Sequence, residues 1–365
     1  MNCHSVEFEN FRNIEKATVR FSDGVTVLYG ENAQGKTNVM EGIYLFARGR
    51  SFRAAKDREA VRFGADVARI KLFCRSEGEE KELGVEIPKA RVKSFYRNRV
   101  KCERNSEIIG EFRAVLFCPS HLSLIYDGPA LRRNFLDIAI SQIKPLYMET
   151  LSRYNRAIAQ RNTLLKNAAD TDPHAFSAMN EIYAEQIASL AARISSYREE
   201  YIKKMDGNAR DIFRDMTGSR EIPAFTYAPS CGAAVEGDRR REKYFSLLTE
   251  NTEREIRVGS TLFGTHKDEI KVSINDREAR LYASQGQQRS LALAMKLSEG
   301  EISRESCGEY PVFLLDDVLS ELDGKRREFI LSSIKDRQVI VTCCEPTDFA
   351  GAKKIIVRGG TYEEC

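Results

Sequence analysis

A glycine-rich loop, Gly30-Glu31-Asn32-Ala33-Gln34-Gly35-Lys36-Thr37, constrains the fold of this 365-residue chain more than any other feature. The apolar run at 25–29 ends at its first glycine and predicts a strand. Apolar residues at helical spacing from Val39 to Phe46 predict a helix that begins near Lys36, and Gly49 is a suitable end for it. Strand, glycine loop and helix follow one another in the order that phosphate binding requires.

The spacing Gly-x-x-x-x-Gly-Lys-Thr is typical of a P-loop, whose backbone N–H groups surround phosphate oxygens at the positive end of a helix. Lys36 is then expected to reach the β- and γ-phosphates, and the Thr37 hydroxyl to ligate Mg²⁺. A glycine-rich turn after an edge strand is the alternative. The loop therefore predicts ATP and Mg²⁺ as cofactors, bound by Gly30, Glu31, Asn32, Ala33, Gln34, Gly35, Lys36 and Thr37.

A second element, Val312-Phe313-Leu314-Leu315-Asp316-Asp317, joins a continuous apolar run to two carboxylates. Such runs are typical of parallel strands that are buried on both faces. Because ligands bind at the carboxyl ends of these strands, Asp316 is expected to orient the magnesium. Asp317 is expected to position the attacking water, so Asp317 and Lys36 are the candidate catalytic residues. The alternative is that one or both aspartates cap the next helix.

A third element, Ser284-Gln285-Gly286-Gln287-Gln288-Arg289, lies just before a predicted helix at 287–299. Serine, glycine and a helix N-terminus form another anion site. A chain with one P-loop has no use for a second γ-phosphate site in its own pocket. We therefore expect Ser284, Gln285 and Gly286 to serve the nucleotide of a second copy, although an ordinary capping turn is the alternative.

The composition limits the class of protein without identifying a partner. Hydrophobic residues make up 42%, enough for a substantial core, and the net charge of +3 means that any nucleic-acid surface must be local. The nine cysteines contain no Cys-x-x-Cys pair, and the four histidines are far apart, so free thiols are expected and no zinc site. With no secretion signal and no run of about 18 apolar residues, a cytoplasmic protein is expected.

The pattern along the chain predicts an α/β head interrupted by an insertion. Strand signals dominate 1–117, helical spacing dominates 128–207, and the last hundred residues alternate between helix and strand. An apolar stripe from Phe176 to Tyr201 predicts one long helix without a coiled-coil seam. The predicted domains are the P-loop part of the head at 1–117, a mainly helical lobe at 118–255, and the rest of the head at 256–365.

Together these motifs resemble the ABC-type ATPase heads of the structural-maintenance-of-chromosomes kind, and within that family the branch that serves bacterial DNA replication and repair. Other branches carry long coiled coils or a Cys-x-x-Cys apex where this chain has a short insertion. The resemblance implies a mixed-sheet ABC-ATPase fold and adds Arg12 and Asn38 to the nucleotide-binding set. It is carried by Phe11-Arg12-Asn13, Tyr29 to Asn38, Gly49-Arg50-Ser51-Phe52-Arg53, Gly128-Pro129 with Arg132 to Asp137, Tyr282 to Arg289, and Leu315 to Asp323.

The resemblance also implies a function. Two copies would enclose two ATP molecules, with binding closing the homodimer and weak hydrolysis opening it. Members of this branch bind double-stranded DNA as ATP-bound dimers and act with RecR and RecO to load the recombinase RecA at single-strand gaps. The rival hypothesis is a soluble ABC-type ATPase that acts on a protein partner without DNA; a transporter subunit fits the Ser284 motif and the insertion poorly.

The chain departs from the family pattern at several places, one of which is Ser120-His121, where an acidic residue often follows Phe-x-Pro. Gly264-Thr265-His266-Lys267-Asp268-Glu269 stands where relatives usually have Gly-Pro-His-Arg-Asp-Asp, so the role of Lys267 is left open. No glutamine between Phe117 and Gly128 takes the metal-contacting place found in ABC heads. Thr342, with Cys343 and Cys344, stands where the family has its switch histidine, which is consistent with slow hydrolysis.

If DNA is bound, Lys and Arg should contact its phosphates with weak sequence preference. The candidates are Arg50 and Arg53 after the P-loop helix, and Arg132 and Arg133 at the start of the helical lobe. A basic stretch at 91–104 is a further candidate, with a solvated face as the alternative and its Phe95 and Tyr96 as possible core. The pair Arg132-Arg133 could instead bridge the two lobes.

Overall fold

A computed structural model of the protein describes residues 1–218, 220–232, 235, 238–345 and 351–365. The chain forms two compact units. Unit 1 comprises Met1–Ser123, Asp215–Gly218 and Ala292–Cys365, and unit 2 comprises Leu124–Arg214 and Ser219–Leu291.

The strands of the described residues are β1 (Asn2–Phe11), β2 (Ile14–Arg20), β3 (Val25–Tyr29), β4 (Val67–Ser76), β5 (Glu79–Pro88), β6 (Ser94–Arg97), β7 (Val100–Lys101), β8 (Ala114–Phe117), β9 (Pro223–Ala228), β10 (Glu269–Ile274), β11 (Arg277–Glu278), β12 (Val312–Asp316), β13 (Val339–Cys343), β14 (Lys353–Arg358) and β15 (Thr361–Glu364). The helices are α1 (Lys36–Arg48), α2 (Pro129–Ile143), α3 (Pro145–Lys166), α4 (Pro173–Thr217), α5 (Asp238–Glu250), α6 (Thr252–Val258), α7 (Ala279–Tyr282), α8 (Gln285–Cys307) and α9 (Gly324–Ser333).

One sheet of unit 1 has the strand order β15-β14-β3-β13-β12-β8 and is parallel except for the edge pair β14–β15. All five residues of β12 are buried, as its continuous apolar run predicted. The register aligns Asp316 on β12 with Thr342 on β13, and Thr342 with Leu28 on β3. Three strands distant in sequence therefore end side by side at one edge of the sheet.

The second sheet of unit 1 is antiparallel, in the order β2-β1-β4-β5-β6-β7. Helix α1 packs against strands of both sheets, which explains why most of its residues are buried. Its approach to β1 is close, because a Cβ added to Gly42 would lie 2.3 Å from the ring of Phe8. The helix that begins at the glycine-rich loop is thereby fixed from two sides.

Unit 2 is mainly helical, with the small antiparallel sheet β11-β10-β9. Helix α4 contains 45 residues, which corresponds to about 68 Å at 1.5 Å per residue. The sequence predicted this helix from its apolar stripe between Phe176 and Tyr201. The observed helix is longer because Met205, Ala209 and Phe213 continue the buried stripe at helical spacing.

Strand pairing places the end of unit 2 later in the sequence than the predicted end of the helical lobe. The sequence predicted that the helical lobe ends at 255 and that 256–291 belongs to the head, whereas unit 2 runs to Leu291. The reason is that β10 pairs with β9 from Ile274↔Pro223 to Glu269↔Ala228, so residues on both sides of the expected boundary share one sheet. A strand pair between distant segments is not visible in local composition.

The α/β fold class is confirmed, with a mixed sheet in unit 1 and a mainly helical unit 2 inserted into its sequence. All nine cysteines of the sequence are free thiols. Within the described ranges, no helix has both the length and the apolar character needed to cross a membrane.

Candidate nucleotide site

The glycine-rich loop joins β3 directly to α1, as the sequence predicted. Gly30 and Gly35 have φ angles of 150° and 117°, a region that favours glycine. A Cβ on Gly30 would lie 2.4 Å from the carbonyl oxygen of Val357, so only glycine fits there. Gly35 is also the N-cap of α1 and provides no side-chain cap. No capping side chain therefore covers the positive end of this helix, where an anion would bind.

Lys36 is held against the loop by main-chain carbonyls. Its Nζ donates to the carbonyl oxygen of Gly30 at 2.6 Å and to that of Glu31 at 3.0 Å, and the residue is buried. The ammonium group is consequently fixed beside the amides that would bind phosphate. An ammonium in this place supplies a positive charge with three donors, which suits phosphate oxygens.

Thr37 and Asp316 meet across the site, as their motifs predicted. The Thr37 hydroxyl donates to Asp316 Oδ1 at 3.0 Å, although the two residues are 279 positions apart. The Thr342 hydroxyl donates to the same oxygen at 2.9 Å. Sequence reasoning noticed Thr342 only as the residue that stands in place of a histidine, and missed this contact because it depends on the pairing of β12 with β13.

The Asp316 carboxyl group is buried, and burial raises its pKa. The hydrogen bonds from Thr342 and Thr37 act in the opposite direction, because they stabilise the ionised form. The negative charge of Asp317 next to it raises the pKa further. A buried carboxylate of this kind gains stability from a nearby cation, which is the property expected of a metal ligand.

Asp317 adopts a left-handed backbone conformation with φ of 51°. Its N–H donates to Thr342 Oγ1 at 2.9 Å, which fixes this conformation. Asp317 precedes a short 3₁₀ turn, but its side chain makes no capping hydrogen bond. Helix α9 is instead capped by Asp323, which accepts from the N–H of Arg326. The capping alternative therefore does not account for the Asp317 side chain.

A buried carboxylate, Glu41 on α1, gathers residues that the sequence analysis had assigned to different roles. Arg12 donates to both of its oxygens, at 2.9 and 2.5 Å, and Ser51 donates to one of them. The Nη1 atom of Arg53 lies 3.6 Å from Glu41 Oε2 and also donates a hydrogen bond to Asn38 Oδ1 at 2.8 Å. Two residues predicted to bind nucleotide, Arg12 and Asn38, are thus linked to a DNA candidate, Arg53, within one network.

The hairpin β14–β15 holds the glycine-rich loop from the other side. Gly359 donates its N–H to the side chain of Gln34 at 2.6 Å, and Gly360 donates to the Gln34 carbonyl at 2.9 Å. The hydroxyl of Tyr362 donates to the carbonyl of Gly35 at 3.1 Å. No sequence motif indicated these contacts. They fix the loop conformation with groups from the far end of the chain.

The Ser284 segment belongs to unit 2 and forms the start of α8. The Ser284 hydroxyl accepts from the N–H of Gln287 at 3.2 Å, and the Gln287 side chain accepts from the N–H of Ser284 at 2.6 Å. This is a capping box, the ordinary explanation that the sequence left open. Ser284 and Gln285 are exposed. Capping does not exclude anion binding, so a role toward a second copy stays a prediction.

Arg132 makes structural contacts within unit 2, and these argue against the expectation that it contacts DNA. Its Nε and Nη2 donate to Glu269 at 2.9 and 2.8 Å. Its Nη1 donates to the carbonyls of Leu124 and Asp127 at 2.8 and 2.7 Å. The residue is buried, and every guanidinium nitrogen already has an acceptor. Phosphate contact would require the loss of these bonds.

The other DNA candidates are more accessible. Arg53 has an exposed fraction of 46%, and Arg50 is exposed. Arg133 is half-buried and donates to the carbonyl of Asp268 at 2.8 Å, a contact within unit 2. In the stretch 91–104, Phe95 is fully buried and belongs to the core, whereas its neighbour Tyr96 is half-buried.

Comparison with known proteins shows the family to which the chain belongs. The family model for the RecF/RecN/SMC N-terminal domain matches residues 3–359. The DNA replication and repair protein RecF of Clostridium novyi (strain NT) is 37% identical over 343 residues, which cover 94% of this chain and 92% of that protein. The chain belongs to the RecF family. The RecF of Ruminiclostridium cellulolyticum (strain ATCC 35319) is 35% identical, and the alignment covers 100% of both chains.

Solved structures of RecF-family members share the whole fold. The recombination mediator protein RecF-ATPrS of the RecFOR pathway superposes with a TM-score of 0.93 at 34% identity, covering 100% of this chain and 98% of that one. The RecF-ATP structure of the same pathway gives 0.92. An Smc head domain from Pyrococcus furiosus, at 16% identity and a TM-score of 0.55, shares the fold alone. The predicted resemblance and the ABC-ATPase head are therefore confirmed.

Proposed function

We propose that this chain is an ATP-dependent DNA-binding protein of recombinational repair and replication, in which nucleotide state controls assembly. The observation that carries the proposal is the 3.0 Å hydrogen bond between Thr37 and Asp316, beside an ammonium held at the P-loop by Gly30 and Glu31. It brings together the residues proposed to bind the phosphates and the metal. The nucleotide named for RecF relatives, ATP, suits such a site.

The residues present fit a magnesium ion. Mg²⁺ prefers oxygen ligands such as hydroxyls, carboxylates and phosphates, and Thr37 and Asp316 bring two such oxygens together. Bound there, Mg²⁺ would neutralise charge on the β- and γ-phosphates. Lys36 would hold the same phosphates, and Asp317 would position a water for hydrolysis. We expect this hydrolysis to be weak and to reset the assembly.

Assembly is proposed to be a homodimer that closes on ATP. The segment Ser284 to Gly286 of a second copy, whose Ser284 and Gln285 are exposed, would complete each site. A ligand that binds one state better shifts the population toward it, so ATP would favour the closed dimer and ADP would release it. Duplex DNA beside single-strand gaps is the proposed template, with Arg50, Arg53 and Arg133 as candidate phosphate contacts.

RecO and RecR are the proposed protein partners, since the related structures belong to the RecFOR pathway. With them, the chain would help to load RecA on gapped DNA. A role on chromosomal DNA would place the protein in the cytoplasm.

Sedimentation in ATP and in ADP, with and without duplex DNA, tests the proposal. A dimer and tight duplex binding are expected only with ATP, and the Lys36→Arg variant should lose both. Equal DNA binding by that variant would contradict the proposal, as would a wild type that fails to bind DNA at low salt.

The role of Asp317 has its own test. Asp317→Asn should still dimerise in ATP but should hydrolyse it far more slowly, because the change removes the carboxylate without removing the backbone N–H that Thr342 accepts. Normal hydrolysis by this variant would show that another group positions the water. The alternative is an ABC-type ATPase that acts on a protein partner without DNA. Under this alternative, the protein should form ATP-dependent dimers that do not bind duplex DNA.

A further inference from the structure

Thr342 occupies a central place at the carboxyl edge of the parallel sheet. Its strand, β13, lies between β12, which ends in Asp316, and β3, which leads into the glycine-rich loop. The register aligns Thr342 with Asp316 on one side and with Leu28 on the other. The residue is buried, with an exposed fraction of 1%. A buried hydroxyl must be hydrogen-bonded to be tolerated, so its partners are informative.

Both partners of this hydroxyl belong to the pair of aspartates. Thr342 Oγ1 donates to Asp316 Oδ1 at 2.9 Å and accepts the N–H of Asp317 at 2.9 Å. The first bond orients the carboxylate. The second bond holds a non-glycine residue in the left-handed region, which is otherwise sparsely populated. One side chain thus sets the orientation of Asp316 and the backbone of Asp317.

The bond from Thr342 is independent of the other bond to Asp316. The Thr37 hydroxyl, which makes that other bond, is itself expected to ligate the metal, so its position depends on the bound nucleotide. Thr342 lies on β13, which is paired with a strand on each side, so the position of Thr342 does not depend on the bound nucleotide. Removing a residue that orients a metal ligand typically lowers the affinity for the metal by about 10- to 100-fold.

We propose that Thr342 is a positioning residue that presents the Asp316 carboxylate to nucleotide-bound magnesium and fixes the backbone of Asp317. This inference rests on the proposed ATP and magnesium site and adds a residue to it. It follows that the glycine-rich loop and Lys36 bind the phosphates. Thr342 determines by how much magnesium raises the affinity for the nucleotide.

The test compares nucleotide affinity with and without magnesium. A fluorescent ATP analogue is titrated against each variant in Mg²⁺ and in EDTA, and the ratio of the two affinities is the measured quantity. Thr342→Val keeps the shape and the β-branched side chain but removes the hydroxyl. We expect the ratio to fall about tenfold or more, with the EDTA affinity within about twofold of wild type. Thr342→Ser restores the hydroxyl and should restore the ratio.

Thr26→Val is the matched control. Thr26 is a buried threonine of the adjacent strand β3, and its hydroxyl bonds Ser22 instead of the site. This variant should keep the wild-type ratio. If Thr342→Val does not fold, Thr342→Ala asks the same question and should show the same loss.

Three outcomes would overturn the inference. A wild-type ratio in Thr342→Val would mean that the hydroxyl does not serve the metal. An equal loss of affinity in EDTA and in Mg²⁺ would mean that Thr342 only supports the fold. A wild type that binds no nucleotide would remove the proposed function itself, and this failure is distinguishable because it appears before any variant is compared.

Discussion

Asp316 Oδ1 accepts two hydroxyl hydrogen bonds, and the one from Thr37 connects the P-loop helix to β12, the strand that ends in Asp316. The bond spans 279 positions of sequence. The bond can form only when the P-loop helix and β12 lie next to each other, as both halves of the proposed site require.

The first prediction concerns Asp316→Asn. The amide keeps the shape of the carboxylate but removes its charge, so the proposed magnesium ligand is lost. We expect ATP hydrolysis to fall by about 100-fold or more, the size typical of losing one group that acts on transition-state charge. Nucleotide binding in EDTA should persist, because Lys36 and the loop are unchanged. Unaltered hydrolysis, measured as phosphate release, would contradict the assignment.

The second prediction concerns stability at Asp316. Burial raises its pKa, so the folded state holds the proton to a higher pH than the unfolded state does. The ionised carboxylate therefore costs stability above the ordinary pKa of 3.8, and this cost disappears as the pH falls through that region. Without nucleotide, Asp316→Asn should melt at a higher temperature than wild type at neutral pH. Thermal melts that show the same gain at pH 4 as at pH 7 would argue against this origin.

The third prediction concerns Gly30→Ala. A Cβ there would lie 2.4 Å from the carbonyl oxygen of Val357, and the φ of 150° suits only glycine. The loop must shift, so nucleotide affinity should fall by about tenfold or more, which corresponds to at least about 1.4 kcal/mol. Gly24→Ala is the control, because its Cβ would meet nothing within 4 Å. Equal affinities of the two variants, measured by titration, would show that the loop tolerates the change.

The fourth prediction separates Arg132 from Arg133. Removing the Arg132 guanidinium leaves Glu269 and several carbonyls without their donor. Breaking a fully buried pair typically costs about 3–5 kcal/mol, and the cost here should lie near or below the lower end because the Glu269 side chain is 27% exposed. Arg132→Met should therefore lower the melting temperature strongly, whereas Arg133→Met should lower it much less. If Arg132→Met instead melts like wild type and loses only DNA binding, the buried role assigned to it is wrong.

The fifth prediction concerns the acid limb of stability. Burial, together with the charge of Lys296, lowers the pKa of His121 from 6.5 to about 3. Between these values the unfolded chain binds a proton that the folded chain does not, so stability falls as the pH falls. The slope of this fall is at most about 1.4 kcal/mol per pH unit. His121→Gln should flatten this dependence in urea unfolding, and the exposed control His174→Gln should leave it unchanged.

The sequence predicted the parts of the site that reside in local motifs. The P-loop is encoded by glycines and Lys36, and Asp316 follows an apolar run whose burial places it at a sheet edge. Strand register encodes the rest. The contact of Thr342 with Asp316 requires β12 to pair with β13 in one alignment, and no local pattern specifies that alignment. The hydrogen bond from the Tyr362 hydroxyl to the Gly35 carbonyl likewise joins distant segments and is not specified by a local pattern.

Arg132 shows a different limit of sequence reasoning. A pair of adjacent arginines is compatible with a nucleic-acid surface and with a buried ion pair, and composition does not distinguish them. The distinction depends on Glu269, which lies 137 positions away. Similarly, the end of α4 was predicted too early because polar residues after Tyr201 dilute a stripe that the structure continues to bury.

The strand order of the parallel sheet has a consequence for synthesis of the protein. β3, which leads into the P-loop, pairs with β13 and β14 and with no earlier strand. A nascent chain that has just exposed the loop therefore lacks both neighbours of that strand until residues 339–358 have emerged from the ribosome. Pairing between such distant segments is slow to form. Nucleotide binding should accordingly be among the last properties that the growing chain acquires, so that prematurely terminated products would not compete for ATP.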